Sequence, residues 1–241
     1  MRHIFISPHF DDAILSAGGF IYDSAQTLQA RIEIWTLSGG APPEPDSSPF
    51  AQSLHRQWGF NSPHETVRAR RLEDQEAAKI VGATPVHFDF LDCIYCRAAN
   101  GDWLYPTSVF VPPHAADADL PAAMTAALAA RLQPDDVVYC PLAVGGHVDH
   151  VLARQAVEAL GRRLTYFADI PYLLRHPEAT ESLGQGKPLW ARSVSAAGLE
   201  AWVRGILSYR SQLSGLFESP EKMAREIAEY ARAGLRFWEF D

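Results

Sequence analysis

Hydrophobic and polar positions along this chain follow two periods, which together predict an alternating series of strands and helices. Short apolar runs rich in β-branched and aromatic residues are typical of strands, and longer stretches with apolar positions three or four apart are typical of helices. Strands that alternate with helices at this spacing indicate βαβ units around a mainly parallel sheet. The predicted strands are 2–6, 31–38, 86–92, 137–142, 164–172 and 235–240. The predicted helices are 13–30, 63–83, 118–132, 151–160, 198–217 and 220–233.

Three long segments interrupt this pattern: 39–64, 93–116 and 173–195. The first is rich in Pro, Gly and Ser and contains the aromatic residues Phe50 and Trp58. A loop of such length in a compact domain is usually functional or mobile. Because it follows a predicted strand, we expect it to be either a lid or wall over that edge of the sheet, or an inert excursion held by its aromatic side chains.

Composition limits the classes of partner. The chain has 241 residues, is 47% hydrophobic and shows no clear domain boundary, so residues 1–241 are expected to form a single domain. Its 21 basic and 29 acidic residues give a net charge of −8 without any basic block, which argues against nucleic acid or an anionic membrane as a partner. No apolar run reaches the ~18 residues of a membrane span, and no signal-like segment precedes the first strand. Three cysteines suggest no disulfide framework, and we expect a cytoplasmic location.

The first candidate for chemistry follows the first strand, where His9, Asp11 and Asp12 lie within four positions. In an open α/β sheet, ligands bind at this carboxyl edge of the strands. Three ionisable groups packed there repel one another or lose hydration unless a partner such as a divalent metal compensates. The alternative is that one aspartate caps the following helix, but capping accounts for only one of the three groups.

A second cluster occupies the same kind of position after the strand 137–142. Glycines allow a tight turn there, and His147, Asp149 and His150 then precede a helical stretch. Alone this cluster is a weak signal, since histidines also cap helices and lie on surfaces. Together, the two strand–loop–helix units predict one site built from both clusters.

These two segments, Pro8-His9-Phe10-Asp11-Asp12 and His147-Val148-Asp149-His150, resemble the signature motifs of the PIG-L, or LmbE-like, zinc-dependent N-deacetylases. The resemblance covers nearly the whole chain and implies a Rossmann-like three-layer sandwich with a mainly parallel central sheet. Phe10 and Ala13 depart from the usual family pattern, which weakens assignment to a particular branch but does not touch the metal motifs. Further segments that match are Arg70-x-x-Glu73, Asp92, ADIPY (168–172) and YRSQ (209–212).

The resemblance also implies the ligands and the chemistry. His9, Asp12 and His150 would hold one Zn²⁺ per chain, although this donor set also suits iron, cobalt or manganese. Asp11 would be the general base for a metal-activated water that attacks an N-acetyl amide, giving acetate and a free amine. His147 would stabilise the oxyanion and protonate the leaving amine. Asp149 would hold the imidazole of His147 and raise its pKa.

Other interpretations of the two motif residues remain open, His147 as a surface residue and Asp149 as a helix cap. The family mostly acts on N-acetylglucosamine units, so the expected substrate is a small amino sugar. Arg70 and Asp92 match residues that contact sugar hydroxyls, or else Arg70 pairs with Glu73 along its helix. The alternatives to a deacetylase are a de-N-acylase or esterase on the same metal site, and a non-catalytic sugar-binding protein.

Two cysteines form a C-x-x-C motif, Cys93 and Cys96. Such a pair is found as a redox dithiol or as half of a zinc site. No second pair exists, and Cys140 lies in a predicted buried strand, so neither role is favoured. Cys93 is nevertheless expected close to the proposed pocket, where thiol reagents would inhibit without the thiol being catalytic.

Overall fold

A seven-stranded sheet forms the centre of the computed structural model, which describes residues 1–28, 31–43, 46–179 and 190–240. Its order is β3-β2-β1-β4-β5-β7-β6. Neighbours among β1 to β5 run parallel, whereas β7 is antiparallel to both β5 and β6. The predicted α/β fold with a mainly parallel sheet is therefore confirmed. The strands are β1 (Arg2–Ser7), β2 (Arg31–Thr36), β3 (Thr84–His87), β4 (Val137–Pro141), β5 (Leu164–Phe167), β6 (Trp190–Arg192) and β7 (Leu235–Trp238).

The central strand β1 decides where a ligand can bind. Ile4, Phe5 and Ile6 are completely buried, as expected for a parallel strand that is covered on both faces. The chain passes from β1 to β2 and β3 on one side, and then returns to place β4 on the other side of β1. The loops after β1 and β4 therefore separate at the point where the strand order reverses, which is the ligand crevice of open α/β sheets.

Two groups of helices flank the sheet: α1, α3 and α7 pack against one another, and α4 packs against α5. The indole of Trp202 on α7 donates a hydrogen bond of 2.6 Å to the carbonyl of Ile14 on α1. This close approach requires Gly18, because a Cβ there would lie 2.5 Å from the Trp202 ring. In the described part of the chain, no helix is both long and apolar enough to cross a bilayer. The helices are α1 (Asp12–Thr27), α2 (Pro49–Gln57), α3 (Pro63–Val81), α4 (Leu120–Ala129), α5 (Val148–Glu158), α6 (Tyr172–Arg175), α7 (Ala196–Leu207), α8 (Leu213–Leu216) and α9 (Pro220–Ala233).

The structure differs from the expected elements in two helical regions. The segment 39–64 contains α2, whose first turn is capped by the Ser48 hydroxyl that accepts a 3.0 Å hydrogen bond from the amide of Ala51. The single helix expected over 198–217 ends at Leu207 and is followed by a turn before α8. In that turn the side chain of Tyr209 reaches the loop after β1, and this tertiary contact outweighs the helical periodicity.

Other boundaries shift as well. The strand expected at 86–92 ends at His87, and the chain beyond it makes only isolated bridges with residues 38 and 40. The segment 173–195 was expected to be irregular, yet most of α6 and all of β6 lie within it. Residues 180–189 of that segment lie outside the described residues.

Candidate metal and catalytic centre

The two histidine-containing loops meet at the carboxyl edge of β1 and β4. The ring centroids of His9 and His147 are 4.7 Å apart, those of His9 and His150 are 5.4 Å apart, and those of His147 and His150 are 5.1 Å apart. All three imidazoles are buried. Two sequence motifs about 140 residues apart therefore form one cluster.

Asp12, the first residue of α1, is the point on which two of these histidines converge. Its Oδ2 atom accepts a 2.7 Å hydrogen bond from the backbone amide of His9, which fixes the carboxylate. The same oxygen lies 3.2 Å from Nδ1 of His9 and 3.3 Å from Nε2 of His150. Ligand atoms that surround a tetrahedral zinc at 2.0–2.1 Å stand about 3.3 Å from one another. The distance from Asp12 to each of the two histidines is therefore that expected between two ligands of one small divalent ion.

The opposite nitrogen of each histidine faces a second carboxylate. Nε2 of His9 is 2.8 Å from Oδ2 of Asp149, and Nδ1 of His150 is 2.7 Å from Oδ1 of Asp169. Metal-ligating histidines characteristically donate their other N–H group to such a carboxylate, which fixes the tautomer. Nε2 of His150 is buried and has no hydrogen-bond partner among the described residues. An ion beside Asp12 would satisfy this nitrogen.

The charges around Asp12 also favour a cation. Burial opposes the charged forms of both the Asp12 carboxyl and the His150 imidazole. Their mutual attraction nevertheless outweighs burial, since it lowers the pKa of Asp12 well below its usual value and raises the pKa of His150 to about 10. The site therefore stabilises positive charge next to the Asp12 carboxylate.

His147 is an alternative third ligand. One ring nitrogen each of His9, His147 and His150 lie within 4.8 Å of one another, whereas Asp12 is part of no such group of three among the described residues. His147 is also the residue before α5, and its Nδ1 accepts a 3.2 Å hydrogen bond from the amide of Asp149. Its Nε2 is then the ring nitrogen that can bind a metal or donate a proton. We favour Asp12 because its carboxylate supplies the negative charge that a divalent ion needs.

Asp149 does not contact the partner that the sequence suggested. Its carboxylate contacts His9 and accepts a 3.0 Å hydrogen bond from the backbone amide of Cys93, instead of holding the imidazole of His147. Residues two apart at the start of a helix do not face one another, which is the physical reason. The pKa of His147 is lowered, not raised, because of burial and the nearby charges of His9 and His150. A role of Asp149 in catalysis is a prediction that these contacts do not test.

Asp11 precedes α1 and makes no capping hydrogen bond with its side chain. Its Oδ1 instead lies 3.4 Å from Nη2 of Arg70 on α3. Burial raises the pKa of Asp11, and the charge of Arg70 opposes that rise. Capping therefore does not explain this carboxylate, which lines the cavity and is paired with Arg70.

Arg70 is shared between two carboxylates. Besides Asp11, its Nη1 atom lies 3.6 Å from Oδ2 of Asp92. Both Arg70 and Asp92 line the cavity, so a sugar bound there could make the predicted contacts with them. The alternative pair with Glu73 is not formed, because Glu73 accepts hydrogen bonds from the amide and the hydroxyl of Ser211 at 2.9 and 2.6 Å.

A cavity of about 410 Å³ opens above this cluster. The segments 39–64 and 93–116 both contribute apolar side chains to its walls, as expected if 39–64 forms a wall, whereas a role of that segment as a lid stays a prediction. The aromatic residues Trp58 and Tyr172 line the cavity. Trp103, in the segment 93–116, lies under the guanidinium of Arg97, 3.5 Å from its ring centroid. The apolar wall comprises Phe50, Leu54, Trp58, Val109, Phe110, Tyr172 and Leu216.

Two residues of this centre, Asp169 and Tyr209, were given no role on the basis of the sequence, although they stand in the matching segments 168–172 and 209–212. Asp169 lies just beyond the end of β5 at the same edge of the sheet, and the carboxylate position after a strand was the available signal. Tyr209 is the first residue of the matching segment 209–212, which was the available signal for it. Its hydroxyl lies 3.1 Å from the carbonyl of Phe10 and 3.0 Å from Oδ1 of Asp74, and thereby supports the loop that carries Asp11.

Comparison with known proteins places this geometry among deacetylases. The chain is 29% identical to the 2'-N-acetylparomamine deacetylase of Niallia circulans over 98% of this chain and 89% of that protein. Among solved structures, the zinc-inhibited form of a teicoplanin deacetylase superposes with a TM-score of 0.84 at 26% identity, covering 100% of this chain and 99% of the other. An N,N'-diacetylchitobiose deacetylase from Pyrococcus horikoshii shares the fold, with a TM-score of 0.56 at 18% identity over 99% and 83% of the two chains.

The family model described as GlcNAc-PI de-N-acetylase, PIG-L, matches residues 4–160. This range begins in β1 and ends just after α5, so it contains both histidine-containing loops and the segments between them. Because the match extends over more than half of the sequence, the chain belongs to the PIG-L family of deacetylases.

Proposed function

We propose that this protein is a zinc-dependent N-deacetylase that removes an acetyl group from an amino sugar of the N-acetylglucosamine type. The observation that carries the proposal is the convergence of His9 and His150 on Oδ2 of Asp12, at ligand-to-ligand spacing, beside a cavity of sugar size. The names of the relatives, which act on acetylated paromamine and on teicoplanin, support an amino-sugar substrate. All of these residues belong to the single domain predicted for 1–241.

His9, Asp12 and His150 would hold the zinc ion. When bound, such an ion polarises an amide carbonyl and lowers the pKa of a coordinated water towards ~7. Asp11 is placed to take a proton from the attacking water, since it lies next to Asp12 and faces the cavity. Arg70, 3.4 Å away, orients the Asp11 carboxylate and favours its ionised form.

His147 completes the proposed reaction. Because Nδ1 accepts a backbone hydrogen bond, the neutral ring carries its proton on Nε2 and can donate it towards the cavity that it lines. This donor would stabilise the oxyanion formed when water adds to the carbonyl carbon. Breakage of the C–N bond then needs one proton on the nitrogen, and acetate and the free amine result. His9 is oriented for this arrangement by Asp149.

The walls suggest how the sugar is oriented. Trp58 and Tyr172 offer aromatic faces for the apolar side of a sugar ring. Arg70 and Asp92 offer a donor and an acceptor for its hydroxyl groups. Gln212 also lines the cavity, and its amide is held by a 2.9 Å hydrogen bond to the hydroxyl of Ser211. Arg70 contacts Asp11, and Asp92 lies 3.8 Å from Nε2 of His9, so both polar groups lie next to the proposed catalytic centre.

The apolar wall favours one second candidate, the removal of a longer acyl chain from a related amine. Phe50, Leu54, Val109 and Phe110 present hydrocarbon surface that an acetyl group alone would not cover. The same base and proton donor would serve this reaction, because both amides pass through a tetrahedral geometry. Chain-length preference therefore separates the two candidates.

The test combines metal content with amine release. The purified protein is assayed on N-acetylglucosamine, on N-acetylated aminoglycosides and on the same sugars with longer acyl groups, each with and without a chelator. Amine release that the chelator abolishes and that zinc restores is expected. Release unaffected by complete metal removal would contradict the proposal, and a clear preference for long acyl groups or esters would replace it with the alternative.

A further inference from the structure

Three side chains that are not ligands of the proposed zinc ion form a second cluster of donors. The Sγ of Cys93, a ring nitrogen of His147 and a carboxylate oxygen of Asp149 lie within 4.8 Å of one another. All three residues are buried. Their donor set of one sulfur, one nitrogen and one oxygen differs from His9, Asp12 and His150 but adjoins them, because Oδ2 of Asp149 contacts Nε2 of His9.

The local fold fixes Cys93 in this position. Cys93 begins a short 3₁₀ turn over residues 93–95, which is capped by Asp92 through a 3.2 Å hydrogen bond from the amide of Ile94. The backbone amide of Cys93 donates a 3.0 Å hydrogen bond to Oδ2 of Asp149 on α5, which joins the turn to the second histidine-containing loop. The thiol is thus held beside the carboxylate by a contact between residues 56 positions apart.

The neighbouring cysteine behaves differently. The Sγ of Cys96 lies 3.8 Å from the carbonyl oxygen of Asp92, and Cys96 belongs to none of the potential ligand sets found among the described residues. The C-x-x-C motif therefore does not act as a pair of ligands. Cys93 faces His147 and Asp149 on its own, and Cys96 provides a matched control.

A separate observation concerns the other carboxylate oxygen of Asp149, Oδ1. Its side chain is 1% exposed, and its Oδ1 atom has no hydrogen-bond partner among the described residues. A buried carboxylate oxygen without a donor is unfavourable, and most such atoms in proteins are satisfied by a hydrogen bond, a water or an ion. A cation held between Asp149, His147 and Cys93 would satisfy it.

We propose that Cys93, His147 and Asp149 form a second, inhibitory site for a soft divalent cation such as Zn²⁺ in excess or Cd²⁺. Thiolate sulfur is the donor that distinguishes it from the first site, and soft ions prefer that donor. The thiol proton passes to solvent when the Cd–S bond forms. The imidazole of His147 binds through Nε2 and stays neutral, because its proton moves to Nδ1, which gives up the hydrogen bond that it accepts from the amide of Asp149. His147 and Asp92, the residue before Cys93, line the cavity, so the ion enters from there.

Occupation of this site withdraws His147 from its role as a proton donor. The inhibitory consequence rests on the function proposed above, whereas binding of the ion does not. Thiolate-to-cadmium charge transfer absorbs in the ultraviolet, and ions held only by histidine and aspartate lack this band. The optical signal therefore reports the second site even if no deacetylase activity exists.

The experiment titrates Cd²⁺ into the zinc-loaded full chain, and into its Cys93→Ser, Cys93→Ala and Cys96→Ser variants, with absorbance and amine release followed together. Each rate is normalised to that variant's own rate without cadmium. For the unmodified chain and for Cys96→Ser we expect a thiolate band that rises in parallel with inhibition. Both Cys93 variants should lose the band and need at least about tenfold more cadmium for half inhibition.

Two results would overturn the proposal. One is a thiolate band that persists in both Cys93 variants, which would place the ion on Cys96 or Cys140. The other is an unmodified chain that shows no band at cadmium concentrations that inhibit it, which would mean that cadmium acts only by replacing the ion at His9, Asp12 and His150. A band without any amine release from any substrate would instead leave the site standing and contradict the proposed function.

Discussion

Nε2 of His9 lies 2.8 Å from Oδ2 of Asp149, although the two residues are 140 positions apart in the chain. This contact joins the loop after β1 to the first turn of α5 and turns the other nitrogen of His9 towards Asp12. The orientation of one proposed ligand therefore depends on a residue from the second motif.

Replacement of that carboxylate by an isosteric amide tests the dependence. In Asp149→Asn the charge that fixes the His9 tautomer is lost, and we expect zinc affinity or kcat to fall by about 10- to 100-fold. Chelator competition measures the affinity, and amine release measures kcat. Asp119→Asn, an exposed aspartate at the start of α4, serves as the control. Unchanged affinity and turnover in Asp149→Asn would show that His9 does not need this partner.

Substitution of Asp169 should also weaken zinc binding, because this residue orients His150. Its Oδ1 atom faces Nδ1 of His150 at 2.7 Å, and its Oδ2 atom accepts a 2.9 Å hydrogen bond from the amide of Val144. We expect Asp169→Asn to weaken zinc binding by about 10- to 100-fold, measured by the same competition. A loss of thermal stability without any change in zinc affinity would instead assign Asp169 a purely structural role.

Tyr209 should influence catalysis from outside the cavity. Its hydroxyl lies within hydrogen-bond distance of the Phe10 carbonyl and of Asp74, whose other oxygen is 2.6 Å from Nε2 of His87. Tyr209→Phe leaves these buried acceptors with one donor fewer, so we expect a loss of about 1–3 kcal/mol in the free energy of unfolding.

The same variant should lower kcat more than it changes KM, because Asp11 follows Phe10 directly and would lose its fixed position. Tyr22→Phe, at a half-buried position on α1, is the control for loss of a hydroxyl group. Equal kcat values for Tyr209→Phe and the unmodified protein would separate this network from the active site.

A stability prediction concerns the opposite end of β1. Asp136 is buried and accepts hydrogen bonds from Nε and Nη2 of Arg2 at 3.0 and 2.6 Å, and from the amide of Gln133 at 2.7 Å. Burial opposes the charged carboxylate, but these donors outweigh it and lower the pKa of Asp136. A carboxyl whose pKa is lower in the folded state stabilises the protein above the unfolded pKa of about 3.9 and loses that effect as the pH falls.

Urea unfolding at several pH values measures this effect. At pH 7 we expect Asp136→Asn to be less stable than the unmodified protein by roughly 1.5–3 kcal/mol. The difference should shrink as the pH falls below about 4, where the unmodified carboxyl begins to be protonated. A difference that stays constant from pH 7 to pH 3 would contradict the assignment of the stabilisation to the ionised carboxylate.

Features of the fold that depend on local sequence pattern could be predicted, and features that depend on contacts between distant residues could not. The apolar run at Ile4–Ile6 and the polar residues after it predict both the buried strand and the edge that carries the site, because these depend on local pattern. Helix α2 was missed because the Pro, Gly and Ser residues around it suggest a loop, although Ser48 and Pro49 are favourable at a helix start.

The side-chain partners could not be predicted in the same way. The local sequence does not determine whether Asp149 contacts His147 or His9. The contact with His9 depends on how α5 is placed against the loop after β1. The antiparallel strand β7, inserted between β5 and β6, likewise depends on long-range pairing that the apolar pattern of residues 235–240 does not specify.

The most direct test of a zinc-dependent deacetylase compares two adjacent aspartates. Asp12→Asn removes the proposed ligand, and Asp11→Asn removes the proposed base, with the same isosteric change. We expect Asp12→Asn to lose its zinc and its activity. Asp11→Asn should retain one zinc per chain while kcat falls by about 10²–10⁴-fold. Turnover by Asp11→Asn at the unmodified rate, or full zinc content in Asp12→Asn, would contradict the roles assigned to these two residues.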